Sequence, residues 1–427
     1  MGVCLERLKA PVAGLAEEVS SMSAKPLDDI RVLDLTWVYA GPFATMMLAD
    51  LGAEVIKLEG PPLGDWTRVV PPLENGHSGY FYMLNRRKKS IALDLKQEAG
   101  RGLFMRLVEH SDVVTENFKA GTLDRLGIGY ERAREVNPSI IYASINGFGS
   151  SGPYSEMPCV DPVAQAMGGL MSMTGFEGQP PLKTGPAVAD SLSGLYLALG
   201  ILSALRRRDK TGVGEKLEVA MMDCVFSVLE EAVIRTSMTG DPLPARGNTD
   251  PLGAPWDAFE TRDGRWVMVC NLDPRRFSDL YKLIGREDIA DEYGGGDGTA
   301  MEKRSKDLPR LNEIFAGWAR TRTAEELQQT LLEMSIPSGV VKQVPELLQD
   351  PHLQNRNMVV DIDHAKLGRI KTFNLPIKFF GGEMGIRRGE NPLDPELGHD
   401  TGEVLQQLLG LGEDEIDHFR KQKIIWA

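Results

Sequence analysis

Between Ile30 and Glu59 the chain sets an apolar run, a helical segment and a second apolar run in direct succession. Ile30-Arg-Val-Leu-Asp-Leu-Thr36 predicts a strand, punctuated by Gly41-Pro42. Phe43 to Leu51 has helical apolar spacing and stops at Gly52, a natural C-cap, and Glu54-Val-Ile-Lys-Leu-Glu59 predicts the next strand. Such βαβ units build parallel sheets. The pattern continues with strands at 90–95, 112–115 and 139–144 and helices at 97–110 and 130–136. The expected fold class is therefore α/β, an open sheet of Rossmann-like character. Ligands of such sheets lie beyond the carboxyl ends of the strands. The segments of interest are thus Thr36–Pro42, Gly60–Arg68, Glu116–Arg125 and Asn146–Tyr154.

Further along, Leu192–Leu205 predicts a buried helix closed by Arg206-Arg207-Arg208, cations that suit the negative end of its dipole. A strand at 216–222 and a helix at 225–234 follow. Met238–Pro255, rich in Gly, Pro and Asn, predicts a linker. Beyond it come a strand at 265–270, helices at 276–284, 311–319 and 324–334, and a short strand at 339–342, a smaller α+β domain. A less regular stretch, 344–397, leads to a last helix at 402–409.

Of the 427 residues, 42% are apolar and 26% charged, as in ordinary globular proteins. The 61 acidic residues outnumber the 48 basic ones, for a net charge of −13. That balance opposes broad contact with nucleic acid or an anionic membrane, yet leaves room for a small anion at a local basic patch. The four cysteines (Cys4, Cys159, Cys224, Cys270) show no CxxC spacing, so neither a disulfide framework nor a zinc knuckle is expected. Met1–Lys25 carries Glu6, Arg7, Lys9, Glu17 and Glu18, unlike a signal peptide. No run approaches 18 consecutive apolar residues, so no membrane span is expected. A reduced, cytoplasmic protein is the reading.

No GxGxxG follows the first strand, and no Walker, HExxH or GxSxG motif occurs. The six histidines lack metal-ligand spacing, so no metal is expected, and Gly294-Gly-Gly296 reads as a loop tip. What remains is a basic cluster and some carboxylates. Arg86-Arg87-Lys88-Lys89 is either a solvated turn or a landing site for phosphates. Arg125, just after Glu116-Asn117-Phe118, is a second phosphate candidate, and Asn117 and Phe118 could hold an adenine ring by hydrogen bond and stacking. Asp190 precedes the apolar helix. As an N-cap it would accept backbone N–H groups; as a carboxylate kept ionised by the helix dipole it could act as a covalent nucleophile, with backbone donors for the oxyanion. Spacing alone leaves both open.

From about Pro26 to its end the chain resembles the family III CoA-transferases, the group of formyl-CoA and carnitine CoA-transferases. The resemblance is carried, in order, by Leu33-Asp-Leu-Thr-Trp-Val-Tyr-Ala-Gly-Pro42, Leu48-Ala-Asp-Leu-Gly-Ala-Glu-Val-Ile-Lys57, Gly64-Asp-Trp-Thr-Arg68 and Lys89-Ser-Ile-Ala-Leu-Asp94. Glu116-Asn-Phe118, Leu123-Asp-Arg-Leu-Gly127, Asp190-Ser-Leu-Ser-Gly194 and Lys210-Thr-Gly212 complete it. It implies Asp190 as covalent catalyst. It also implies a coenzyme A site at Val38, Tyr39 and Ala40, at Leu93, Asp94, Leu95 and Lys96, at Asn117, Phe118, Lys119 and Arg125, and at Asp161. The thioester is substrate, and no further cofactor is implied. Two ring-like subunits would interlock as a homodimer. After an N-terminal extension (1–25), a large domain would take 26–225 and 391–427, joined by linkers 226–255 and 344–390 to a small domain, 256–343.

Two departures bear on the substrate. The formyl-CoA branch has a run of glycines in a loop over the site, where Arg246–Pro255 here has isolated ones, and a glutamine of that branch is replaced by Tyr39. A C4–C5 dicarboxylate is therefore expected in place of formate and oxalate, with transfer between molecules or within one. The related α-methylacyl-CoA racemases pair the aspartate with a histidine before the Asp161 position, where this chain has Val160, which carries no proton. A non-catalytic CoA-binding subunit is the other alternative, and the retained Asp190 argues against it.

Overall fold

The computed structural model describes residues 25–380 and 382–426. The extension expected over 1–25, with Cys4, lies outside the described residues apart from Lys25. The chain divides into two compact units. One takes the chain through Leu170, then Lys183–Met238 and Pro351 onward; the other takes Met171–Leu182 and Thr239–Asp350.

The first unit is built on a seven-stranded sheet. Six strands are parallel: β1 (Arg31–Asp34), β2 (Glu54–Glu59), β3 (Lys89–Leu93), β4 (Val113–Glu116), β5 (Ile141–Asn146) and β6 (Glu215–Ala220). Their order is 3-2-1-4-5-6, the doubly wound arrangement. Successive side chains enter opposite cores: Val32, Val55, Val113 and Ile141 on one face, Leu33, Ile56, Val114 and Tyr142 on the other. The helices α1 (Ala40–Asp50), α2 (Glu98–Glu109), α3 (Asp161–Met167), α4 (Val188–Thr211) and α5 (Met221–Ser227) belong to this unit. α1 and α4 cover the first face; α2, Thr401–Leu409 and Glu413–Lys421 cover the second.

Several elements differ from expectation. The helix expected at 225–234 is two, α5 and Glu231–Thr239, separated by a turn in which Glu230 has φ of 49°. The stretch 344–397, which includes the expected linker 344–390, carries an antiparallel hairpin of Val359–His364 and Gly368–Phe373. The helix at 401–409 is followed by another and by a two-residue strand, Ile425–Trp426, that pairs antiparallel with β3. Elements this short leave almost no periodicity to read.

α4 is longer than Leu192–Leu205, and it corrects the expectation about apolar runs. Among the described residues it alone is long and apolar enough to cross a bilayer, with a mean hydropathy of 1.6 over 18 residues. Ser193, Gly194, Gly200 and Ser203 interrupt the apolar run without making the helix polar. Leu197, Ile201 and Leu205 pack into the sheet core, as a soluble core helix does, while Leu195 and Leu199 remain exposed. Its end is fixed by Gly212, in the left-handed conformation with φ of 71°, and by an Arg208–Asp112 ion pair at 2.8 Å.

Gly194 lets α4 approach α1 closely. A Cβ there would stand 2.7 Å from the Ala40 carbonyl oxygen and 3.0 Å from the Phe43 ring. In an open helix Gly→Ala gains about 1 kcal/mol, but overpacking a core costs about 1–3 kcal/mol. Because the obstacle is backbone, the clash wins. Gly194→Ala is expected to lower the urea midpoint with an unchanged m-value; an unchanged midpoint would contradict this packing.

The second unit holds an antiparallel sheet of Trp256–Glu260, Trp266–Cys270 and Ser338–Val340, with the middle strand flanked by the other two. Phe259, Val267, Val269, Phe315 and Leu327 form its core with the helices Leu308–Ala319 and Ala324–Glu333. Gly294-Gly-Gly296 is the loop between helices Glu287–Tyr293 and Gly298–Lys306.

Candidate active site

Strand order reverses between β1, followed in the chain by β2 on one side, and β4 on the other, so the loops leaving β1 and β4 part and open a crevice. A cleft of about 490 Å³ lies there. Trp37–Ala40 line it from the loop after β1, Asn117–Ala120 from that after β4, Ile145–Phe148 from the end of β5, and Ser155–Asp161, Asp190 and Met221 complete the wall. Three of the four segments singled out beyond strand ends contribute. The fourth, Gly60–Arg68, supports the first from behind.

The Trp37–Ala40 loop is held under strain. Val38 has φ of 69°, rare for a β-branched residue and worth about 1–3 kcal/mol. Asp65 accepts the Val38 N–H (3.3 Å), and Lys57, buried, pairs with Asp65 at 2.9 Å while donating to the Thr36 carbonyl at 2.7 Å. Asn117 grips Trp37 from the other side, accepting its N–H at 3.0 Å and donating to its carbonyl at 2.7 Å. The Asn117 amide is thus engaged with backbone and not presented to a base, which corrects the adenine-binding expectation for it. Phe118 remains open to stacking, with the half-exposed Trp37 ring 6.3 Å away. Burial pushes the Glu116 carboxyl, which accepts the Phe118 N–H, up to about 7.

The basic cluster is neither a solvated turn nor a phosphate site. Arg86 is fully buried and paired with Asp50 at 2.8 Å. Lys88 donates to Asp34, Thr45, Asn85 and the Pro42 carbonyl at 2.8–3.1 Å. Arg87 pairs with Glu390 and Lys89 with Glu54. Charges so deep need partners already in place. Burial would raise Asp34, but Lys88 and Lys57 hold it well below the usual carboxylate range.

Asp190 is not the N-cap of α4. The helix starts at Val188, so Asp190 lies inside the first turn. The cap comes from α3: Asp161 Oδ1 accepts the N–H of Ala189 at 2.8 Å and of Asp190 at 3.3 Å. Gln165 Nε2 donates to Asp161 Oδ2 at 2.7 Å, and Gln165 Oε1 accepts the Thr184 N–H at 3.0 Å. No hydrogen bond to the Asp190 carboxyl forms among the described residues. Burial, and then the Asp161 charge, push it up to about 7. The dipole, worth about 0.3–1 kcal/mol, is outweighed, which corrects the picture of a carboxylate simply kept ionised.

The remaining expected positions separate. Val38, Tyr39, Ala40, Asn117, Phe118, Lys119 and Asp161 share the cleft with Asp190. Leu93–Lys96 do not line it: Leu93 is core, and the Asp94 carboxylate closes its own turn by accepting the Lys96 N–H at 3.0 Å. Arg125, exposed, bonds Thr122 on its own turn, outside the cleft lining. Sequence reasoning missed Trp37, Cys159, Gln165, Tyr80 and Ser191. Ser191 donates to the Tyr39 hydroxyl at 3.2 Å, and Tyr80, whose ring lies 6.3 Å from that of Tyr39, senses the Asp190 charge. Only Trp37, beside the strand end, had a positional signal.

The sequence matches CoA-transferase family III over residues 27–401. A succinyl-CoA:mesaconate CoA-transferase of Haloarcula hispanica is 40% identical over 346 residues, 79% of this chain and 85% of that protein. A formyl-CoA:oxalate CoA-transferase of Streptomyces avermitilis is 37% identical over 418 residues, 94% of this chain and 100% of that one. The crystal structure of a CaiB/BaiF family protein from Brucella suis matches with a TM-score of 0.79 at 33% identity, covering 90% of this chain and 99% of that one. A doubly wound sheet with an uncompensated carboxyl at its switch point, matched along nearly the whole chain, has one reading: the chain belongs to CoA-transferase family III and is a CoA-transferase acting on acyl-CoA and carboxylate substrates.

Proposed function

We propose that Asp190 is the covalent catalyst of this transfer. The observation that carries the reading is its carboxyl, raised to about 7 and without a hydrogen-bond partner among the described residues, in the cleft at the switch point. Asp190 attacks the donor thioester, releasing CoA thiolate and leaving an acyl-aspartyl anhydride. The thiolate returns to the aspartyl carbonyl, giving an aspartyl-CoA thioester and the free donor acid. An acceptor carboxylate repeats the exchange in reverse. Every intermediate stays activated, so the thioester energy is kept provided water is excluded. The Ala189 and Asp190 N–H groups are taken by Asp161 and cannot hold the oxyanion. The Tyr39 and Ala40 N–H groups, at the uncapped head of α1, have no partner among the described residues and suit that role; such a donor is worth about 10²–10³ in rate.

Coenzyme A runs along Val38–Ala40 and Asn117–Lys119, its base near Phe118 and Trp37. Its phosphates extend past the cleft toward Lys119, Arg125 and the Leu93–Lys96 turn. The acids exchanged are C4–C5 dicarboxylates, as the name of the Haloarcula relative supports; the Streptomyces relative favours formate and oxalate as the competing pair. Two chains interlock as a homodimer, with a large domain built from both chain ends and a small one between; the exposed Leu195 and Leu199 of α4 and the exposed Leu63 and Trp66 suit burial against a second copy.

A panel of CoA thioesters and free acids, followed by mass spectrometry of CoA exchange, tests this reading. Succinyl-CoA with a C4–C5 diacid acceptor is expected to give the highest kcat/KM. Faster formyl-CoA to oxalate transfer would overturn the substrate class. Hydrolysis without an acceptor, or α-proton exchange without transfer, would overturn the reaction.

A further inference from the structure

Asp161, the first residue of α3, has only 7% of its surface exposed. Both its oxygens are engaged, Oδ1 by the Ala189 and Asp190 N–H groups and Oδ2 by Gln165, which Thr184 holds in turn. The carboxylate is thereby fixed against the head of α4, with no ion-pair partner among the described residues. Two consequences reach Asp190. The N–H groups of the first turn, which would otherwise stabilise an anion there, are already used. A second negative charge stands beside it.

Resting on the reading of Asp190 as nucleophile, we propose that Asp161 is a positioning residue of the transfer reaction. It makes Asp190 less stable as a free carboxylate than as an acyl or thioester adduct. In the first step the Asp190 oxygen forms a C–O bond to the thioester carbonyl carbon as the C–S bond breaks, and the electron pair leaves on sulfur. The negative charge thus departs from Asp190 with the thiolate. In the second step sulfur bonds to the aspartyl carbonyl carbon, the bond from that carbon to the bridging anhydride oxygen breaks, and the donor acid leaves with that oxygen as a carboxylate carrying the charge away. Repulsion from Asp161 is felt by the free enzyme and by neither adduct, so it favours the covalent states.

The other titratable groups around Asp190 do not substitute for this charge. The Cys159 thiol, before α3, is pushed up to about 11 by burial and then by Asp190. Tyr80, on helix Gly79–Asn85, is pushed up to about 12 by burial, Tyr39 and Asp190, so neither is ionised near neutral pH. Asp65, behind the Tyr39 loop, is paired with Lys57. Burial raises Asp190 first, and the Asp161 charge raises it further.

Asp161→Asn keeps the shape and a carbonyl for the Ala189 N–H while removing the charge. Asp190 must be ionised to attack, so kcat/KM rises with pH through its free-enzyme value near 7. In Asp161→Asn that acid limb is expected to move down by about one pH unit or more, and the fraction of enzyme carrying covalent CoA to fall about tenfold. Asp161→Ser, which also removes the charge and keeps an oxygen that can accept a hydrogen bond, is expected to move the limb in the same direction, and serves if Asp161→Asn does not fold. An unmoved limb, with covalent CoA still formed on the wild-type enzyme, overturns this proposal alone. Absence of covalent CoA on the wild-type enzyme overturns the nucleophile reading and this proposal with it.

Discussion

Asp190→Ala is expected to reduce CoA transfer by about 10⁴-fold or more while leaving CoA affinity within a few-fold of wild type. The reason is a division of labour. The proposed binding surfaces at Val38–Ala40 and Asn117–Lys119 line the cleft from the ends of β1 and β4, on elements separate from α4, which carries Asp190. Alanine suits the first turn of α4, and the cap from Asp161 goes to backbone N–H groups that the substitution keeps. Steady-state transfer assays with CoA titration by calorimetry separate the two effects. Transfer within tenfold of wild type would exclude Asp190 as the nucleophile.

The largest stability effect is expected beneath the Trp37–Ala40 loop. Lys88→Met would leave Asp34 buried without its main cation, and breaking a buried pair in this way costs about 3–5 kcal/mol. Asp34 bonds Thr36 and Thr45, so loss of its partner also loosens the loop that carries the strained Val38. The urea midpoint should fall sharply at neutral pH, and the double variant Asp34→Leu with Lys88→Met should recover much of the loss. The pH dependence has a defined sign. Asp34, Glu59 and Asp65 all lie below their ordinary values despite burial. The unfolded chain therefore takes up more protons than the folded one as pH falls below about 4, and wild-type stability drops there. The deficit of Lys88→Met relative to wild type should shrink over the same range. A deficit that stays constant from pH 7 to pH 3 would argue against the ion pair.

The parallel sheet was legible because strands buried on both faces leave continuous apolar runs, as Ser139–Ser144 does, and because turns such as Gly41-Pro42 separate them from helices. The cleft was legible for the same reason, since strand ends at a switch point follow from strand order. Leu93–Lys96 shows the limit of that logic: they end and follow β3, which stands two strands away from β1 and is covered on its outer edge by Ile425–Trp426 from the far end of the chain. The setting of Asp190 was not legible at all. Its cap is Asp161, far upstream, and local spacing could only suggest that Asp190 capped itself. Arg86–Lys89 misled for a parallel reason. Four adjacent cations look solvated until Asp50, Asp34, Glu54 and Glu390 are brought to them by separate elements.

The covalent route is tested most directly by mixing the enzyme with succinyl-CoA in the absence of acceptor, quenching within one turnover and mapping the peptide containing Asp190 by mass spectrometry. The expected result is a CoA-mass adduct on Asp190 that hydroxylamine converts to a hydroxamate and that Asp190→Ala lacks. An unmodified Asp190 under conditions where transfer proceeds at full rate would contradict it.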